Sequence, residues 1–425
     1  MLRSVRMSAS NARLGRLVSV AVLAVACAAL IAPAPALAAY RQTYHVTSKW
    51  NFPVPLPSAG FQSYGMALTS GGDVLVGGHD DYAAQYTSVG GFVKTFGQGL
   101  GTLSRVDNVA ARGADIWAAD AYAGVFKFDA DGNSVGEPIT AVPAVSSFDT
   151  PLGLAIDASG CVYVSDRGGT GSDGFRISKF TSDGAFVTRF GESGTGMLWS
   201  AQSIAIGAHF EVYVADWQHG QVNIYKPSNS TRTAYTYVAK RTSTRFEEPW
   251  AVATDIAGNV FVIDNTRCFV TKLDPSGEAL ASWGSAGVPP LAIGTFQYAW
   301  SAAVAPNGHV FIDDRDDFAV QEFVSTDVRP LTWASANLSV TKGRKVSFKY
   351  KASSDASPYV KVTIKVYKGS VLKSTISCGT VGQGVWNTKS WTCKLARGKY
   401  TWKVYATDSA SHKQRSVAYR TLTVR

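Results

Sequence analysis

Short apolar runs of about four to six residues recur along residues 44–325, separated by turns rich in Gly and Asp. Such runs are too short for helices and carry β-branched and aromatic side chains, so they predict strands. One string repeats. Val162–Asp166 reads VYVSD, and its counterparts are Ile116–Asp120, Val212–Asp216, Val260–Asp264 and Val310–Asp314. The closing aspartates step by 46, 50, 48 and 50 residues, and a degenerate copy, Val74–Gly78, ends 42 residues before Asp120. Six copies at this period predict four-stranded units arrayed around an axis.

Each copy keeps one order of parts. A lead-in segment such as Phe148–Asp157 or Phe246–Asp255 comes first, and a Gly-containing turn then opens the repeated string. A third strand ends in a turn such as Asp274-Pro275-Ser276-Gly277, and a fourth finishes in Phe96-Gly97, Phe190-Gly191 or Trp283-Gly284. These residues resemble the NHL repeat over about 44–325, and the resemblance implies a six-bladed β-propeller. The first copy lacks the closing Asp, and the second, fourth and sixth lack the Pro of the lead-in. Only one strand, Ala319–Phe323, follows Asp314 before the chain changes character at Arg329-Pro330, so Tyr44–Trp50 is expected to supply the missing outer strand and remove an exposed edge.

Beyond Pro330 the chain again reads as strand after strand: Val346–Lys351, Lys361–Tyr367, Tyr400–Thr407 and Val417–Val424. Leu395, Gly398 and Tyr400 resemble the corner of immunoglobulin-like sandwiches, which implies a Tyr hydroxyl bonded back to its turn. The fold expected is therefore all-β: a six-bladed NHL-type propeller over 40–328 and a basic immunoglobulin-like β-sandwich over 331–425. Cys378 and Cys393 flank a loop of 14 residues and are expected to form a disulfide, while Cys161 and Cys268 read as buried free thiols.

The first 38 residues carry Arg3, Arg6, Arg13 and Arg16, an apolar run from Leu17 to Ala32, and Ala36-Leu37-Ala38. This is the order of a secretory signal peptide cleaved after Ala38. A lipid on Cys27 is the alternative, with Ala24 where Leu is usual. No later apolar run reaches the length of a membrane span, so a secreted or envelope-associated protein is expected. The formal charge of +10 divides unevenly: residues 331–425 hold 18 Lys+Arg against Asp355 and Asp408, +16, and the propeller segment is −10.

Chemistry is sparse. The resemblance implies a face where lead-in segments open, ringed by Tyr64, Asp107, Leu152, Gln202, Trp250 and Trp300. A second ring follows the repeated strand: His79, Arg167, Trp217, Asn265 and Arg315. Aromatic faces interleaved with polar edges suit flat ligands such as sugars or peptides. The competing reading has Trp250 and Trp300 packing between blades. A metal-dependent lyase or lactonase near Asp107 is the enzymatic alternative, but only Asp107 and Asn108 face the axis with no Glu, and His79 and His219 fall on opposite blades. Asp313–Asp317 could hold calcium, yet Arg315 interrupts it. No cofactor is expected. Nor is a nucleic-acid partner, because phosphate contacts need a positive propeller. These features predict an exported, non-enzymatic protein binding a glycan, peptide or protein, with the basic domain held by an anionic envelope polymer.

Overall fold

The computed structural model describes residues 44–52, 62–78, 81–97, 103–143, 148–167, 175–243, 246–287, 292–325, 330–354, 359–409, 411–414 and 417–425. The expected signal peptide, Cys27 and His79 lie outside them. The described chain is all-β and propeller-like, with two single 3₁₀ turns, Trp217–His219 and Arg315–Asp317. No helix among the described residues is long and apolar enough to cross a membrane.

Residues 44–325 make six antiparallel sheets, met in chain order. Their first strands are Ser63–Leu68, Val106–Arg112, Pro151–Ile156, Ala201–Ile206, Pro249–Thr254 and Ala299–Val304. Each first strand lies against the next, and the sixth returns to the first. The repeated strings are the second strands, and those of the third to sixth sheets are buried at all five positions. Both their faces meet neighbouring sheets, so continuous apolar runs replace alternation.

Five of these sheets have four strands, and the second has three. At its edge Val125 and Ile139 exchange two backbone hydrogen bonds of 2.9 Å in place of a full fourth strand. The sixth sheet is completed by Tyr44–Asn51, which pairs antiparallel with Ala319–Ser325. Tyr44 stacks on Trp283 of the fifth sheet with ring centres 4.1 Å apart. At the other end of this strand Trp50 packs 5.5 Å from Tyr86 of the first sheet. One N-terminal strand thus ties three sheets together.

Residues 331–425 form a three-stranded sheet (Leu331–Ala334, Lys345–Ser353, Asn387–Thr392) and a five-stranded one (Leu338–Val340, Ala418–Val424, Gly398–Thr407, Tyr359–Lys368, Val371–Gly382). Their facing apolar side chains, among them Phe348, Ile364 and Trp402, make one core. The Tyr400 hydroxyl donates to the Ala396 carbonyl at 2.8 Å. The expected disulfide is not formed: Cys378 and Cys393 are free thiols. Cys378 is the unpaired residue of a bulge in the edge strand of the larger sheet, its Sγ 3.8 Å from the Ile376 carbonyl. Cys393 follows a strand of the other sheet and is held by backbone bonds to Gly343 and Arg344. Cys161 and Cys268 are also free, but only Cys268 is buried and Cys161 is partly exposed.

The two parts of the chain pack on each other. Lys351 alternates with apolar residues as Lys349 does, yet its side chain is fully buried. Its ammonium reaches Asp274 at 2.5 Å, Ser276 at 2.9 Å and Glu278 at 3.0 Å, all in or beside the outer turn of the fifth sheet. The Trp333 indole N–H donates to Glu278 at 2.6 Å, and Leu280 packs with Leu331 and Trp333. At Gly384, φ is +67° and an added Cβ would lie 2.2 Å from Pro275, so only glycine lets the backbone come this close.

Deleting residues 44–51 should abolish soluble monomer, because the sixth sheet loses its outer strand and Trp283 and Tyr86 lose their covering rings. Size-exclusion chromatography and thermal unfolding check this; an unchanged melting profile refutes the closure.

Candidate functional site

The closing aspartates determine how the lead-in segments run. Asp120 accepts the backbone N–H groups of Ser104 and Arg105 at 2.6 and 2.8 Å. Asp166 accepts those of Asp149 and Thr150 at 2.9 and 3.1 Å. Asp216 takes Trp199 and Ser200, Asp264 takes Glu247 and Glu248, and Asp314 takes Gln297 and Tyr298. The donors lie 17 and 16 residues upstream in the third to sixth sheets and 16 and 15 upstream in the second. Two residues beyond the second donor stand Asp107, Leu152, Gln202, Trp250 and Trp300.

Those positions are irregular in the ladder. Ala201 pairs with Asp216 and Ser203 with Ala215, so Gln202 has no partner. Trp250, Trp300 and Asp107 are skipped in the same way, as is Tyr64 in the first sheet, and Leu152 lies within the corresponding irregularity of the third. A bulge re-aims the side chain of its extra residue. All six line one axial depression of about 210 Å³, together with Arg105, Asn108, Ser203, Ala251 and Ser301.

An aromatic arc runs along one side of this depression. Ring centres are 5.5 Å apart for Trp217 and Trp250, 4.5 Å for Trp250 and Trp300, and 5.6 Å for Trp300 and Tyr64. Trp250 and Trp300 are half-buried and belong to none of the apolar clusters. Arg315 lies 4.3 Å over Trp300 and pairs with Asp316 at 2.8 Å. Arg105 lies 5.7 Å over Tyr64 and grips both oxygens of Asp107, at 2.7 and 2.6 Å. Burial opposes the Arg105 charge, but Asp107 more than offsets it and the guanidinium is held above its ordinary range. Burial also pushes the Tyr64 hydroxyl up, against the two arginines.

Not every predicted residue joins. Arg167 is exposed outside the depression, and Asn265 is buried beside it with its backbone bonded to Glu248. Among the described residues no three His, Cys, Asp or Glu side chains are grouped to hold a metal ion. The sequence reading missed Arg105, although its place two residues before Asp107 on a lead-in segment was visible. It also missed Asp313. This residue is fully buried, accepts the Ser63 hydroxyl at 2.5 Å, and lies 3.4 Å from that of Ser301. Gly78 stands where the other five sheets have the closing Asp, and the Ser63 hydroxyl reaches across to the sixth sheet. Burial pushes the Asp313 carboxyl up to about 7 and Asp314 up to about 6.

No family model matches this chain, and no curated protein matches it in sequence. Among solved structures it is similar to the extracellular domain of a one-component system, BT4673 of B. thetaiotaomicron, at 13% identity over 87% of this chain and 57% of that one, with a TM-score of 0.42. It is also similar to the WD40 β-propeller domain of Doa1, at 9% identity over 67% of this chain and 97% of that one, with a TM-score of 0.43. The chain thus spans little more than half the length of the first of these.

A carboxyl whose folded pKa stands above its unfolded value of about 3.9 favours folding at low pH, and that advantage is lost as pH rises to the folded value. Stability should therefore fall between about pH 4 and about pH 7, the value set by Asp313. Asp313→Asn, which keeps an acceptor for Ser63, should flatten this fall and be the more stable protein at pH 7.5, by up to about 4 kcal/mol. Denaturant unfolding across pH checks it; parallel pH profiles refute it.

Proposed function

We propose that residues 40–328 are a six-bladed NHL-type β-propeller, that 331–425 are a basic immunoglobulin-like β-sandwich, and that the whole is an exported, non-enzymatic binding protein. The axial depression takes a flat, polar ligand, a glycan or a peptide segment. The observation that carries this is the convergence of six side chains from ladder irregularities onto one depression. Tyr64, Trp250 and Trp300 offer ring faces for stacking, and Gln202, Asn108 and Ser203 offer hydrogen bonds that orient a ligand.

Binding is favoured over metal chemistry by the state of Asp107. Both of its oxygens are occupied by Arg105, so the one axial carboxylate that the lyase or lactonase reading needs is already neutralised. Arg167 and Asn265 stay outside this proposal, while Trp217 and Arg315 extend the face through their ring contacts.

The sandwich is the retaining domain. Its +16 charge exceeds what solubility requires, and such a surface is drawn to polyanions of the cell envelope. The acidic propeller, at −10, argues against a nucleic-acid ligand in the depression.

Two outcomes follow. On glycan and peptide arrays the protein should bind a restricted ligand set, and Trp250→Ala with Trp300→Ala should weaken that binding by about 2 kcal/mol while the fold persists. Unfolding of the double variant would instead mark those rings as structural. In fractionated cells the protein should stay with the envelope at low salt and elute at about 1 M salt without detergent, where the screening length falls to about 3 Å. Elution that needs detergent refutes the electrostatic tether.

A further inference from the structure

The outer surface of the five-stranded sheet has a composition that folding does not require. Lys365 and Lys403 stand directly opposite each other on adjacent strands, in a register where Thr363 faces Tyr405 and Tyr367 faces Thr401. Like charges in that relation destabilise a sheet. Among the described residues neither ammonium is paired with a carboxylate, and Asp408, one of the two acids from 331 to 425, is buried. Each ammonium instead lies by a diagonal tyrosine: Lys365 is 4.8 Å from the Tyr405 ring and Lys403 is 5.0 Å from that of Tyr367. The two tyrosine hydroxyls are joined at 3.0 Å.

Along the strands this arrangement has a period. Lys361 precedes Lys365 by four residues, and Lys399 precedes Lys403 by four on the antiparallel neighbour. The cations therefore form three stations in a line, Lys361, then Lys365 with Lys403, then Lys399. At about 3.3 Å per residue they are about 13 Å apart. Between and beside them stand hydroxyl side chains, Thr363, Thr401 and Thr421 among them, and Tyr419 with 63% of its surface exposed.

We propose that this face binds a linear acidic polysaccharide laid along the strands, its carboxylates meeting the lysine stations and its sugar rings meeting Tyr419 and the threonine hydroxyls. The inference rests on the retaining role of the basic domain and names the face and the ligand chemistry. Charge complementarity calls for a polyanion. Rows of hydroxyls and a tyrosine ring match a saccharide better than a headgroup surface. Lys351, the cation already neutralised by Asp274 and Glu278, takes no part.

The test uses the full chain and polygalacturonate as probe at 0.15 M salt, with dextran, polyphosphate and anionic phosphatidylglycerol vesicles beside it. Wild type should bind polygalacturonate and not dextran, and more tightly than polyphosphate or vesicles. Lys365→Gln with Lys403→Gln should weaken binding at least tenfold with no loss of thermal stability, since a repulsion is relieved. Tyr419→Ser, at an exposed ring, should weaken it severalfold and covers the case in which the double variant misfolds. Lys342→Gln with Arg344→Gln removes the same charge from a turn off this face and should change binding less than twofold. Equal losses from the two double variants overturn the proposal, as does preference for polyphosphate or vesicles. Salt-sensitive envelope retention without polygalacturonate binding overturns this inference alone; absence of both overturns the tether as well.

Discussion

A buried carboxylate that accepts two consecutive backbone N–H groups is the interaction on which the ring depends. It occurs at Asp120, Asp166, Asp216, Asp264 and Asp314, each at most 1% exposed. A hydrogen bond to a charged group contributes about 1.5–3 kcal/mol, and an unmade one leaves a buried charge at greater cost. Burial raises the Asp264 and Asp314 carboxyls, and their backbone donors pull the other way. The donors are amides that cannot ionise or move away, so the lead-in has one path. That path starts the first strand out of step with the second, and the surplus residue is turned to the axis. In the five sheets that carry the Asp, stability and the aim of the surplus residue come from the same contact; the first sheet keeps the irregularity at Tyr64 with Gly78 in that place.

Charge is handled locally throughout the ring. Lys127, Lys179 and Lys272 hold the same place on three third strands and face Asp115, Asp157 and Asp255 at 3.0, 3.8 and 3.7 Å. In the depression Arg105 and Asp107 cancel, as do Arg315 and Asp316 outside its lining. A net −10 propeller therefore presents an axial surface of stacked rings and compensated dipoles. The sandwich does the reverse. Among its described residues Lys351 is the one Lys or Arg paired with carboxylates, and Lys349, Lys365, Lys368 and Lys403 lie by aromatic rings.

Much of this was legible in the sequence because repetition exposes it. A string recurring with its Asp marks the second strand, its spacing marks the unit, and a chain one strand short at its C-terminal end points to Tyr44–Trp50. The ring of Tyr64, Asp107, Leu152, Gln202, Trp250 and Trp300 was readable as positions relative to the lead-in, although nothing in the pattern announced a ladder irregularity. What escaped was whatever depended on a partner far along the chain. Lys351 alternates like a surface residue, and only the Asp274 turn 77 positions away explains its burial. Asp313 looked like part of an acidic run until Ser63, 250 residues distant, was beside it. Cys378 and Cys393 are close in sequence, but one lies in an edge bulge of the larger sheet and the other just after a strand of the smaller one.

The joint at Lys351 has a mechanical meaning. Asp274, Pro275 and Glu278 belong to the hairpin joining the third and fourth strands of the fifth sheet, at the rim of the ring and away from its axis. Ammonium, indole and the Gly384–Pro275 contact all grip that one hairpin. A pull on the sandwich enters the ring through this hairpin and is shared among the hydrogen-bonded strands of the fifth sheet. The depression therefore keeps a constant bearing relative to the sandwich, as a dish on a fixed arm does.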